Sequence, residues 1–140
     1  MAKDTAHLLR ELETCSDFRS FYRENMAELP ARTLSECLND LLERHGLKKA
    51  DVIRRAELAE VYGYQIFSGL RVPERKKLLC LAIGMTLPLD ELQALLKTSG
   101  YAPLYAKNPA DCIIIYGVCR GYTVVQINEM LFDYGMETLG

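Results

Sequence analysis

Apolar residues recur along most of the chain at helical spacing, and the segments are separated by caps and breakers. Asp4 is placed to cap a first helix carrying Leu8, Leu9 and Leu12, and Ser16 a second with Phe18, Phe21, Tyr22 and Met26 on one side, closed by Pro30. Thr33-Leu34-Ser35-Glu36 reads as a capping box, opening an amphipathic stretch with Leu34, Leu38, Leu41 and Leu42 that stops at Gly46. Two short segments follow, about Lys48–Arg55 and Ala59–Phe67, with Gly69 and Pro73 punctuating the exit. A longer helix is predicted from Glu74 to Gly84. Pro88 opens the next, which carries Leu89, Leu92, Leu95 and Leu96 and ends before Gly100. Asn108-Pro109-Ala110-Asp111 places an Asn cap, a first-turn proline and an early acid in order. Thr123-Val124-Val125-Gln126 is a second capping box, before Ile127, Met130 and Leu131 and a stop at Gly135. Ile113-Ile114-Ile115-Tyr116 is β-branched enough for a strand, but the cap before it and the lack of a partner strand favour helix. The fold class is therefore all-α.

The C-terminal third also aligns with the segment before it. Shifting the chain by 35 residues sets Leu78 and Leu79 on Ile113 and Ile114, and sets Leu92, Leu95, Leu96 and Gly100 on Ile127, Met130, Leu131 and Gly135. An internal repeat explains this, and so does the chance alignment of two amphipathic hairpins. Either way, residues 100–140 read as a helical pair. Ile113, Ile114, Val118, Ile127, Met130 and Leu131 are too apolar to stay solvated, so the pair should pack on the preceding bundle.

Composition narrows the class. Of the 140 residues 49% are hydrophobic and 26% charged, which fits a folded globular protein and not a disordered one. No apolar run approaches the roughly 20 residues that span a bilayer. Residues 1–17 mix charges of both signs without the apolar core of a secretory signal, so the expected location is the cytoplasm, with no membrane partner. The cysteines, Cys15, Cys37, Cys80, Cys112 and Cys119, are odd in number and form no C-x-x-C pair, which points to buried thiols and not to a disulfide frame or a metal site. Cys112 and Cys119, seven apart on one helical face, are expected in the core, and His45 at a helix C-terminus. No cofactor is expected. No Ser-His-Asp, Cys-His or paired-carboxylate set stands out, nor a glycine-rich phosphate loop, so nothing supports an enzyme. The net charge is −2, but residues 34–77 carry nine Lys/Arg against seven Asp/Glu while both flanks are acidic. A mildly basic middle suits contact with nucleic acid.

That middle contains the pieces of a helix-turn-helix. Gly46 to Ile53 forms a scaffold helix with its lead-in, Arg54 to Ala59 a turn, and Glu60 to Ser68 a second helix short enough for a major groove. Ile53, Leu58 and Ile66 supply the apolar contacts between the two. The stretch resembles the lambda-repressor/Cro-like (Xre) family of bacterial and phage regulators in Gly46-Leu47 before the scaffold helix, Ala56 before the turn, Ile66-Phe67-Ser68-Gly69 at the end of the recognition helix, Pro73, and Leu89-Asp90-Glu91-Leu92. The resemblance implies a five-helix domain over 33–99, with an N-terminal helical extension over 1–32 and the C-terminal helical pair over 100–140. It implies a transcriptional regulator that binds double-stranded DNA as a homodimer on paired half-sites. By position it makes Glu60, Val61 and Gln65 the base-reading residues. Gln65 is suited to adenine, Glu60 to a cytosine amino group and Val61 to a thymine methyl. Lys48, Lys49, Tyr64, Ser68, Arg71 and Arg75 become backbone contacts. The chain departs from the family at Glu57, where a turn glycine is usual, and at Ala59 and Lys48, where hydroxyl caps are usual. Acidic Glu57 and Glu60 and the overall negative charge support a second reading: an adaptor that keeps the repressor fold, has lost DNA binding, and takes a protein partner through its helical flanks. The plainer alternative for Tyr62 and Tyr64, on either reading, is packing on neighbouring helices.

Overall fold

A computed structural model describes residues 5–20 and 33–140. Among these residues the regular structure is α-helical, with no strand, and no helix is long and apolar enough to cross a membrane. The chain divides into two compact units, Met1–Thr33 and Leu34–Gly140. In the first, α1 spans Thr5–Thr14, with His7 paired to Glu11 at 2.9 Å. The predicted cap Asp4, and Phe21, Tyr22, Met26 and Pro30, lie outside the described residues. Helix resumes at Phe18, and Asp17, not Ser16, takes the capping place: its carboxylate accepts from Ser20 Oγ at 2.7 Å and from the Arg19 N–H at 3.1 Å. Those bonds, the one from Ser20 first, hold its pKa below the usual carboxylate value.

The second unit contains α2 (Leu34–His45), α3 (Lys49–Arg55), α4 (Glu60–Ser68), α5 (Arg75–Gly84), α6 (Leu89–Thr98), α7 (Pro109–Cys119) and α8 (Val124–Asp133). Helix α5 is the axis of the core, with every residue from Leu78 to Gly84 buried. It packs against α3, α6 and α8, while α2 and α3 pack on α4. Asn108 Oδ1 accepts from the Asp111 N–H, and Thr123 and Gln126 form the predicted reciprocal capping box. The Ile113-Ile114-Ile115 run is helical, because its cap starts a helix whose buried residues, Asp111, Ile114 and Gly117, follow helical spacing. His45 ends α2, where it and Arg44 both reach Glu91 of α6, at 2.7 and 3.0 Å.

The 35-residue shift is a structural repeat. Helix α6, Leu89–Thr98, maps residue for residue onto α8, Val124–Asp133. The turns match as well: Thr86 (φ 56°) corresponds to Gly121 (φ 70°), and Gly100 (φ 83°) to Gly135 (φ 73°). Even the segment after each hairpin is held alike. Gln93 bonds the backbone of Leu104, and Asn128, 35 residues on, accepts from the Leu139 N–H at 2.8 Å. The same turn, in which an N–H bonds the carbonyl five residues back across a left-handed residue, ends all seven helices of this unit. Leu58, Leu87 and Tyr122 each donate to the carbonyl five residues back, closing a Schellman motif on a left-handed residue: Glu57, Thr86 or Gly121.

In two of these turns a side chain occupies a conformation that favours glycine. Exposed, β-branched Thr86 should be the costlier. Thr86→Gly is expected to stabilise the protein by about 1 kcal/mol, read as a higher urea midpoint at unchanged slope.

Residues 34–140 form one unit, so the C-terminal pair is part of the main body. Ile114, Ile127 and Leu131 are buried, and Ile113 and Val118 pack against the core. Cys112 and Cys119 correct the sequence expectation: both are exposed, on the side of α7 away from Ile114 and Gly117. Of the five thiols only Cys80 is buried, and burial pushes its pKa up to about 11.

Candidate nucleic-acid interface

Helix α4 buries one side and presents the other. Gly63, Ile66 and Phe67 are buried and Tyr62 is partly so, whereas Glu60, Val61, Tyr64 and Ser68 are exposed and Gln65 is half-exposed. Positions 60, 61, 64, 65 and 68 follow the i, i+4, i+8 spacing of a single helical face. All three residues expected to read bases lie on it, together with two of those expected on the backbone.

What holds this face outward is the fit of α3 against α4. Ile53 and Ile66 are buried between the helices and Leu58 packs beside them. Gly63 allows the approach: a Cβ there would fall 2.5–2.9 Å from three side-chain carbons of Ile53. Glycine in a helix interior costs about 1 kcal/mol relative to alanine, and close packing on Ile53 is its structural use here. Neither Lys48, before α3, nor Ala59, before α4, makes a side-chain cap. The first N–H groups of α4 are therefore not engaged by the residue that normally caps them. At the other end, Gly69 (φ 85°) closes α4, and Asn39 of α2 donates to the Phe67 carbonyl at 2.9 Å.

Three of the expected backbone-contacting cations lie in sequence at the start of α3 or just after α4. Lys48 stands exposed before α3, Lys49 lies with its ammonium 5.5 Å from the Phe67 ring centre, and Arg71 is exposed in the segment after α4. Ser68 Oγ donates to the Gln65 carbonyl at 3.0 Å, while the Gln65 amide makes no side-chain hydrogen bond among the described residues. Between α3 and α4 a groove of about 330 Å³ is lined by Ala50, Ile53, Arg54, Leu58, Glu60 and Tyr64. Arg54 at its edge is paired with Asp51 at 3.1 Å.

Arg75 departs from expectation. Its guanidinium donates to the carbonyls of Ala102 (2.9 Å) and Pro103 (3.3 Å) and to the carboxylate of buried Asp111 (3.3 Å). It anchors the segment between α6 and α7 to α5, and does not join the cations beside α4. Tyr62 also turns inward. Burial first, and then the nearby charge of Glu74, raises its phenol pKa. Sequence reading missed two exposed apolar side chains just past the end of α4, Leu70 and Val72, 73% and 78% exposed; Val61, at 70%, is in its first turn. Among known proteins the chain matches no family model, no curated sequence and no solved structure.

Proposed function

We propose that the protein is a sequence-specific DNA-binding transcriptional regulator of the lambda-repressor/Cro-like kind, with α3 as supporting helix and α4 as the helix that enters the major groove. One observation carries the reading: the outward face of α4 brings Glu60, Val61, Tyr64, Gln65 and Ser68 together, with Lys48 and Lys49 at the start of α3 and Arg71 after α4 in sequence. None of these side chains is buried in the core. A nine-residue helix ending in a glycine cap is about 14 Å long, short enough to lie across a groove. Its N-terminal turn holds Glu60 and Val61, with Gln65 one turn further in. The Gln65 amide can give and take one hydrogen bond each with the N6 and N7 atoms of adenine. Lys48, Lys49 and Arg71 supply the sequence-independent grip on phosphate.

Gln65→Ala should relax the preference at particular base pairs and lose about 1–3 kcal/mol on the preferred site, with little change on random duplex. Enrichment of bound fragments from a random DNA pool by the wild type and the variant tests this. A wild type that enriches no sequence, or a variant that enriches the same one as strongly, contradicts it.

A second reading rests on Val61, Leu70 and Val72. Exposed apolar side chains at both ends of α4, with acidic Glu60 at its start, suit a protein partner better than a phosphate backbone. On that reading Glu60→Gln leaves DNA binding undetectable and alters a protein complex instead.

A further inference from the structure

We infer that the groove between α8 and the turn after α3 is a docking site for a basic amphipathic segment of another protein. Its wall is the counterpart of the outward face of α4. At a shift of 64 residues the start of α4 falls on the start of α8, and the end of α3 on the end of α7. The close contact within each pair recurs with its residues exchanged. A Cβ on Gly63 would meet Ile53, and one on Gly117 would fall 2.5 and 2.8 Å from two carbons of Ile127. Glu60, Val61, Tyr64, Gln65 and Ser68 of α4 then correspond to Val124, Val125, Asn128, Glu129 and Phe132 of α8. All five of these α8 residues line one groove of about 480 Å³, together with Ala56, Glu57 and Leu58 from the turn after α3.

Charge and shape select the occupant. Val124 and Cys80 are buried in the floor of the groove, whereas Val125 and Phe132 stand 46% and 75% exposed on it. Glu57, Glu129 and Asp133 also line it. All three are exposed and form no ion pair among the described residues, against a single lining cation, Lys77. The carboxylates repel nucleic-acid phosphate and anionic lipid, and a two-fold pairing of this face would set them against themselves. They attract Lys and Arg, while Val125, Phe132 and the apolar floor take aliphatic side chains. From Val125 to Phe132 the wall runs about 10 Å along α8, which matches two turns of a helical segment.

The inference does not depend on DNA binding and is tested without DNA. The full chain is titrated with a labelled helical peptide of leucine and lysine at amphipathic spacing. Saturable binding at one site is expected, with a photoreactive phenylalanine analogue in place of Phe132 cross-linking to the peptide. The double change Glu129→Lys/Asp133→Lys should weaken binding about tenfold or more, and Phe132→Ser should act in the same direction. These side chains are exposed, so both variants should fold, which helicity and urea midpoint check. A lysine peptide of equal charge without leucine should bind far more weakly. Absence of saturable binding, equal affinity in both folded variants, or equal affinity for the leucine-free peptide would overturn the inference. So would cross-linking from position 132 only to the same chain or to a second copy.

Discussion

Gly84→Ala is expected to destabilise the protein by about 1–3 kcal/mol, and Gly84→Val by more. Alanine in place of glycine normally strengthens a helix by up to about 1 kcal/mol, so the sign depends on the surroundings. Here the new Cβ would meet the Val52 carbonyl oxygen at 2.8 Å, the Ala56 nitrogen at 3.0 Å and the Ala56 Cβ at 3.2 Å. Two of these are backbone atoms, of Val52 in α3 and of Ala56 just after it, so no rotamer change relieves the clash, and α3 must separate from α5. The strain falls on the most buried helix of the unit. Chemical denaturation followed by circular dichroism gives the answer. An unchanged or higher midpoint would mean that the α3–α5 approach is looser than described.

The second large effect is electrostatic. Replacing Lys48, Lys49 and Arg71 together by alanine should lower affinity for any duplex about a hundredfold at physiological salt, because each phosphate contact releases about 0.9 counterion. The slope of log affinity against log salt should fall by about 2.7 units. Arg75→Ala differs in kind. It removes the partner of buried Asp111 and the donors to Ala102 and Pro103, and should reduce stability with no comparable change in salt slope.

Much of this is legible in the sequence, and the exceptions have physical causes. Caps and glycines depend on local backbone chemistry, so Asn108, Thr123, Gly46 and Gly69 marked their helix ends in the sequence. The residues of the outward face of α4 came from the resemblance, by position, and the structure leaves them outside the core. The fate of Arg75 did not, because its partners lie 27 to 36 residues away and no local pattern encodes that distance. Cys112 and Cys119 share a helical face, as expected. Which face is buried was decided by Ile114 and Gly117 packing inward. The repeat was ambiguous as an alignment of leucines. It became clear in features that apolar periodicity does not encode: the matched helix boundaries and the matched roles of Gln93 and Asn128. Glu57 shows the same division. Its departure from the glycine of the resembling family is visible in sequence, but its left-handed φ of 59° is visible only in the fold.

The central claim, that the outward face of α4 binds DNA, is tested most directly by measuring duplex affinity over a salt series for the wild type and Glu60→Gln. The account predicts binding by both that weakens steeply as salt rises, and equal or tighter binding by Glu60→Gln, because a carboxylate facing phosphates has been removed. Absence of salt-dependent binding by either protein, to genomic fragments and to random duplex alike, would contradict it.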